Sequence, residues 1–539
     1  MKRVACLAVL LVASSSLVAR AAASRVEAEA PPPAYDDPDR DRILRLQEAI
    51  YSIVHGGVLG RLRVGIRVVE ATTGRTLYGR RGDALMDPAS NQKILATAAA
   101  LLRLGSTYRF RTQVSGPVPD EDGVLHGDIV IRGTGDPSLR ARHIDRLATA
   151  LALRGVTRVD GAVVADPRRL GTDEVAQGAR PPLRVGGAAI EVRVRPGERR
   201  GAKPFVILRP SAESFVLENV ATTTERGRTK VVVRAWASEG KVRVSVSGRI
   251  ALRNPGLVIR RAPPAPLLYT ALLLRGALEE RGIAVRDGAT VRPPSPPPEG
   301  ARAPLVLAAH DSDPLPLLFR RINKDSDNEY ADRLLEAVGA EVYGGAATMQ
   351  KGVRALRGAI TELGLPPEAY VPVNGSGLGH ANRISADAIA KLLRTLYLDP
   401  RIGPEIMQSL SVGGVDGTTR NRFHGSPAAL RVRAKTGTLN GKSALSGYVG
   451  DGGEIVVFAM MVEGLSHRRL AQVRRAQVSA VDAMMRFARG AVGEAPADEV
   501  GPGTDFEVGE ELLDTEEEEA PAEPPTSEPG APAPPGPGT

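Results

Sequence analysis

Three short clusters of polar residues in this 539-residue chain carry groups able to do acyl-transfer chemistry: Ser90-Asn91-Gln92-Lys93, Ser326-Asp327-Asn328 and Lys435-Thr436-Gly437-Thr438. A serine hydroxyl is a weak nucleophile at neutral pH and needs a base beside it. A lysine three residues further on shares its helix face. It serves as that base when burial and a neighbouring cation lower its pKa. A helix start adds free N–H groups and a positive dipole end beside the reacting carbonyl. Ser326 then relays a proton between Lys93 or Lys435 and a leaving group, while Asn328 holds Lys93 and a substrate amide. On a strand Lys435 and Gly437 face one side, so the ammonium points into the cleft and Gly437 leaves room for substrate. The Thr438 N–H pairs with that of Ser90 as an oxyanion hole, and the Thr436 and Thr438 hydroxyls take a terminal carboxylate.

Each cluster alone is weak. An isolated S-x-x-K is ordinarily a capping serine with a surface lysine, S-x-N a helix cap, and K-T-G a strand running into a turn. Ser238-Glu239-Gly240-Lys241 also fits the first pattern, but it lies between β-like runs and reads as a hairpin turn. The elements around the three clusters are more telling. Ile94 to Leu102 is an apolar, Ala-rich run, read as a buried helix that Pro88 approaches. Tyr330 to Val342 shows helical spacing after Asn328, and Arg431 to Ala434 is β-like before Lys435. In this order the clusters point to a serine acyltransferase.

The remaining elements suggest a split domain. Asp39 to Val54 reads as a helix and Leu62 to Glu70 as a strand. From about 110 to 300, β-branched runs alternate with Gly, Pro and charged turns, with one helix expected from His143 to Arg154. Pro294 to Pro298 closes this stretch. Helices are expected at Gly352 to Leu363, Ala386 to Tyr397 and Arg468 to Arg489, and antiparallel strands at Ala444 to Val449 and Ile455 to Val462. The expected division is an export signal over 1–23, a linker over 24–40, a first catalytic part over 41–109, inserted β-rich domains over 110–300, a second catalytic part over 301–490, and an acidic, Pro-rich disordered tail over 491–539.

The export reading rests on Lys2 and Arg3, the apolar run Val4 to Val18, and Ala21-Ala22-Ala23 before Ser24. That run is short and serine-rich, so a stable transmembrane anchor is not expected. The single cysteine, Cys6, lies inside the signal, which excludes disulfides, thiol catalysis and Cys-ligated zinc from the mature chain. The seven histidines are scattered without ligand spacing, so no metal site is expected. Net charge is +9, yet the tail from Glu494 carries 14 acidic and no basic residues, leaving +23 on the rest. A basic exported body suits anionic wall polymers; no nucleic-acid motif accompanies it.

The chain resembles the D-alanyl-D-alanine carboxypeptidase/endopeptidase family, the class C low-molecular-mass penicillin-binding proteins, which share the S-x-x-K, S-x-N and K-T-G triplet. The resemblance is carried by Pro88 to Lys93, Gly133 to Leu139, Lys324 to Asn328, Asn374 to Leu378, Gly414 to Thr418 and Ala434 to Leu439. It implies an α/β fold: a β-lactamase/transpeptidase-like domain with an antiparallel sheet flanked by helices, interrupted by β-rich inserted domains. It implies a periplasmic serine peptidase acting on peptidoglycan stem peptides through a Ser90 acyl-enzyme, with no cofactor and with β-lactam antibiotics as covalent inhibitors. It also implies an aspartate of the insert that contacts diaminopimelate, for which Asp166 is the candidate by position; a solvated strand-end carboxylate is the alternative. Asn374 stands where the family has Asp, and Gly379 where it has Ser. A wall-binding protein with a retained fold and a β-lactamase are the competing readings.

Overall fold

The computed structural model describes residues 32–168, 183–187, 189–209, 215–238, 241–295, 302–451 and 453–490. The expected signal, residues 24–31 of the linker and the acidic tail lie outside them. Among the described residues no helix is long and apolar enough to cross a membrane.

The site is built on a six-stranded sheet: β1 (Arg63–Glu70), β2 (Thr76–Arg80), β3 (Ser411–Val412), β4 (Val432–Leu439), β5 (Lys442–Asp451) and β6 (Glu454–Glu463), in the spatial order β2-β1-β6-β5-β4-β3. Every neighbouring pair is antiparallel. Strand β6 shows why the sheet is covered on both faces. Its run Val456 to Val462 is buried throughout, and the period of two divides it. Val456, Phe458, Met460 and Val462 join a core with Ile43, Ile50, Val473, Val481 and Met484, which come from α1 (Arg40–His55) and α6 (Leu470–Ala488). Val457, Ala459 and Met461 face a second core with residues of α2 (Gln92–Leu104), α3 (Asn328–Tyr343), α4 (Met349–Glu362) and α5 (Ala386–Leu398).

Between α2 and α3 the chain builds other sheets. A five-stranded one has the order Ala289–Val291, Val163–Ala165, Ile129–Gly133, Arg111–Gly116, Leu305–Asp311. Its last strand returns antiparallel beside Arg111–Gly116, so both ends of the excursion meet. Leu305–Asp311, just past the expected boundary at 300, pairs with this sheet. Further out, Ile190–Arg195, Phe205–Arg209 and Leu257–Arg261 form one small sheet, and four strands between Phe215 and Ala251 form another. Ser238 and Lys241 are register partners at the end of an antiparallel strand pair.

The insert also holds a second helix, Pro266–Glu279, absent from the expected β-rich pattern. Its residues Leu267 to Leu272 are all buried, so the run has no polar face and gives no helical period to read.

Phe458, fully buried in the sheet interior, tests the clamp made by α1 and α6. Phe458→Ala should cost about 3–5 kcal/mol, read as a large drop in melting temperature. A change within error would mean that this layer does not hold the sheet.

Candidate active site

Ser90 sits in a single tight turn, Ala89–Asn91, that feeds directly into α2. The turn is strained: Ala89 has φ +45°, a left-handed conformation that costs a non-glycine residue on the order of 1 kcal/mol. Three sets of contacts hold it there. The Ala89 N–H donates to Asp87 Oδ1 at 2.9 Å. Buried Asp87 in turn accepts from Lys442 Nζ at 2.6 Å and lies 3.2 Å from His380 Nδ1. From either side, two glycines press on the turn. A Cβ at Gly377 would lie 1.9 Å from the Ala89 carbonyl oxygen, and one at Gly437 would lie 2.8 Å from that of Pro88. Gly437 is thus needed to bring β4 against the nucleophile's turn.

Lys93 lies on the first turn of α2 and is fully buried. Its Nζ is 2.9 Å from Ser90 Oγ, 2.7 Å from Asn328 Oδ1 and 2.6 Å from the Ser376 carbonyl oxygen. Burial pushes its pKa from 10.5 down to about 7, against the pull of the Asp332 and Asp327 carboxylates. That displacement favours the free amine by about 5 kcal/mol relative to water. The contacts suit this form. A free amine donates two hydrogens, to Asn328 and Ser376, and its lone pair can accept the Ser90 hydroxyl hydrogen.

Ser326 follows a five-residue π turn, Arg320–Lys324, and is itself strained at φ +61°. The helix cap is Asp327, whose side chain accepts from the Tyr330 N–H at 3.1 Å. This leaves Asn328 as the first residue of α3, exposed at the cleft while gripping Lys93. From β4, Lys435 Nζ reaches Ser326 Oγ at 3.0 Å. Burial, the Lys93 charge and Arg422 hold its pKa well below the ordinary lysine value. Ser90, Lys93 and Asn328 are thereby joined directly, and Ser326 is joined to Lys435. Of the two lysine partners expected for Ser326, the hydrogen bond is made by Lys435.

Beyond these five residues, the Thr436 hydroxyl donates to Thr418 Oγ1 at 2.7 Å, and Thr438 Oγ1 lies 3.4 Å from Arg474 Nη2. Asp166 is not joined to the group. Its side chain is 1% exposed, and it is taken up by Arg132 at 2.6 Å and by Arg168 at 3.0 Å. Burial raises its pKa, but the hydrogen bonds from Arg168 and Arg132 outweigh that and leave it below the usual carboxylate value. In the loop where Asn374 departs from the expected Asp, Asn374 Oδ1 accepts from the Gly377 N–H at 2.8 Å and its Nδ2 donates to the Leu378 carbonyl at 2.8 Å. A carboxylate could make only the first of these bonds. Gly379 is exposed.

Sequence reasoning missed several supporting groups. Asp332 accepts from the Gly375 and Ser376 N–H groups at 3.0 and 2.8 Å, which fixes the carbonyl that Lys93 touches. An acid four residues after Asn328 shares its helix face, which is a readable signal. Lys324 pairs with Asp416 at 2.5 Å and ties the Gly414–Thr418 segment to the second motif. From the insert, Arg140 donates to the Tyr330 hydroxyl at 2.8 Å and Arg184 pairs with Glu329 at 2.9 Å. The first involves a buried ring. The second is half-exposed and worth little.

A hydroxyl beside a free amine, an amide and a second buried lysine, set between a helical layer and the end of an antiparallel sheet, defines a serine peptidase of the β-lactamase/transpeptidase-like fold. Residues 46–484 match the D-Ala-D-Ala carboxypeptidase 3 (S13) family, and the chain belongs to it. It is 30% identical over 458 residues to a D-alanyl-D-alanine carboxypeptidase of an Actinomadura species, covering 80% of this chain and 84% of the other. It is 26% identical over 422 residues to the D-alanyl-D-alanine carboxypeptidase DacB of Haemophilus influenzae, covering 75% and 86%. The crystal structure of penicillin binding protein 4 from Haemophilus influenzae shares the fold, with a TM-score of 0.61 at 22% identity, covering 81% of this chain and 98% of that one.

Because the Asp332 charge raises the Lys93 pKa, Asp332→Asn should move the acid limb of the acylation profile to lower pH than in the wild type. It should also slow acylation about tenfold, since an amide oxygen is a weaker acceptor for the two loop N–H groups. Stopped-flow labelling with fluorescent penicillin across pH 5–9 reads both effects. An unmoved limb would show that Asp332 does not act on Lys93.

Proposed function

We propose how the site residues divide the work of the serine-type D-alanyl-D-alanine carboxypeptidase reaction that defines this family. The observation that carries the reading is the position of Lys93 Nζ, 2.9 Å from Ser90 Oγ and buried. Lys93 in its free-amine form takes the Ser90 hydroxyl proton as Oγ adds to the carbonyl between the last two D-alanines. The Ser90 and Thr438 N–H groups receive the oxyanion. The ammonium now on Lys93 repels charge on Lys435. A proton passes from Lys435 through Ser326 to the nitrogen of the departing D-alanine. The C–N bond breaks and the Ser90 ester remains. Water then adds to the ester and gives its proton to Ser326 and Lys435. Ser90 Oγ leaves and recovers its own proton from Lys93. The sum is peptide plus water giving a shortened stem peptide and D-alanine.

The same geometry supports acylation by β-lactams, whose ring carbonyl takes the place of the peptide carbonyl; the Haemophilus influenzae protein of this fold has been solved with a β-lactam. The N-terminal signal features and the wall-peptide substrate support export to the bacterial periplasm. For the domains, the separate sheets between α2 and α3 support an insertion that splits the catalytic domain.

Two outcomes test the reading. Ser90→Ala should abolish both D-alanine release from purified muropeptides and labelling by fluorescent penicillin. Product analysis should score terminal D-alanine and cleavage of cross-linked dimers separately. With a base of pKa about 7, kcat/KM should rise through neutrality, with roughly a tenth of the limiting value at pH 6, half at pH 7 and a plateau above about pH 8. A profile falling with pH over that range would exclude Lys93 as the base.

A further inference from the structure

We infer that Lys442 is a positioning residue for Ser90: through Asp87, its charge holds the strained turn in which the nucleophile and its N–H stand. This rests on the acyl-enzyme reading above and extends the support of the nucleophile to a lysine outside the three motifs.

The sheet decides where Lys442 stands. Strands β4 and β5 are joined by Asn440-Gly441 alone, and Gly441 has φ +75°, a conformation glycine adopts freely. Lys442 therefore opens β5 as the register partner of Leu439 on one side and of Glu463, the last residue of β6, on the other. The hairpin that carries Lys435 to Ser326 thus brings another lysine, on its second strand, to the Ser90 turn.

Two carboxylates meet that lysine. Asp87, its side chain wholly buried, lies 2.6 Å from Lys442 Nζ, and Glu463 lies 3.8 Å away. Glu463 also accepts from the Asp87 N–H at 2.9 Å, so the backbone of Asp87 is fixed along with its side chain. The oxygens of Asp87 are divided: Oδ1 takes the Ala89 N–H and Oδ2 takes Lys442. A buried carboxylate keeps its charge only beside a partner, and a charged acceptor binds an N–H about twice as strongly as a neutral one. Lys442 therefore sets the strength of the bond that keeps Ala89 at φ +45°, one residue before Ser90. His380 Nδ1 also approaches Oδ2, at 3.2 Å, but its side chain is 55% exposed against 17% for Lys442, so the lysine is the better-held partner.

The test measures acylation by fluorescent penicillin, and kcat and KM for D-alanine release from a D-Ala-D-Ala peptide. Lys442→Met should lower the acylation rate and kcat about tenfold with KM little changed, the difference between a charged and a neutral hydrogen bond. Lys442→Arg should recover most of the loss. In an Asp87→Asn background, where no buried carboxylate needs a cation, Lys442→Met should cost under about twofold more. This pair carries the test if the single Lys442→Met chain does not fold, because it leaves no unpaired buried charge. Ala89→Gly, which relieves the left-handed turn, should shrink the Lys442→Met loss, and His380→Ala should cost less than Lys442→Met. Unchanged rates in Lys442→Met, a further tenfold loss in the Asp87→Asn background, a loss undiminished by Ala89→Gly, or a larger loss in His380→Ala would each overturn the inference. A wild type that neither takes the label nor releases D-alanine would overturn the acyl-enzyme reading itself, and the inference with it.

Discussion

A lysine taken out of water is the constraint around which the rest of this molecule is arranged. Lys93 is enclosed by α2, α3 and the loop around Ser376, and each neighbour offers it an acceptor at hydrogen-bond distance. An isolated ammonium so placed would cost several kcal/mol. The protein resolves the cost by letting the group shed its proton near neutrality. The group that results is both a base and a donor, and it faces the serine. Lys435 follows the same logic one layer away, with its charge opposed by burial and by Lys93. Two amines that cannot comfortably both be charged form a natural device for passing one proton from one side of a bond to the other.

Precision in this arrangement comes from close approach of backbones. The Ala89 turn is squeezed between the Gly377 loop and β4 at Gly437, and neither position tolerates a Cβ. The turn pays in backbone strain, and Asp87 offsets it with a buried hydrogen bond. Ser326 carries similar strain opposite Lys435. Both serines of the site are thus held in or beside conformations that a free peptide would leave, and the surrounding sheet and helices keep them there.

Much of this was readable from residue types, and the boundary of what was readable is physical. Ser90 and Lys93 were legible because residues three apart share a helix face and the buried run after Lys93 marked that helix, and Asn328 because its cluster stands between the other two in the order of the triplet. The core strands were legible because they are long, β-branched and bounded by turns. Pro266–Glu279 was not, because its run from Leu267 to Leu272 is buried on every side and leaves no period. The packing of Gly437 against the Ala89 turn was not legible, because spacing along a strand says which face a residue takes and nothing of the backbone packed against it. For Asp166, the candidate for the diaminopimelate contact with a solvated strand-end carboxylate as the alternative, the arginine partners, one of them 34 residues away, are a matter of tertiary structure. The same holds for Arg140 and Tyr330, 190 residues apart.

That last contact bears on how such a chain can change over time. The long excursion between α2 and α3 leaves and returns on paired strands, which would make it look like an exchangeable cassette. Yet Arg140 grips the ring two residues after Asn328, so the cassette reaches into the wall of the cleft. A recombinant ancestor that swapped this module for another would inherit a loosened second motif unless the newcomer happened to carry a donor to the same spot. Module and host are therefore coupled through the side chain of Arg140, at the wall of the cleft.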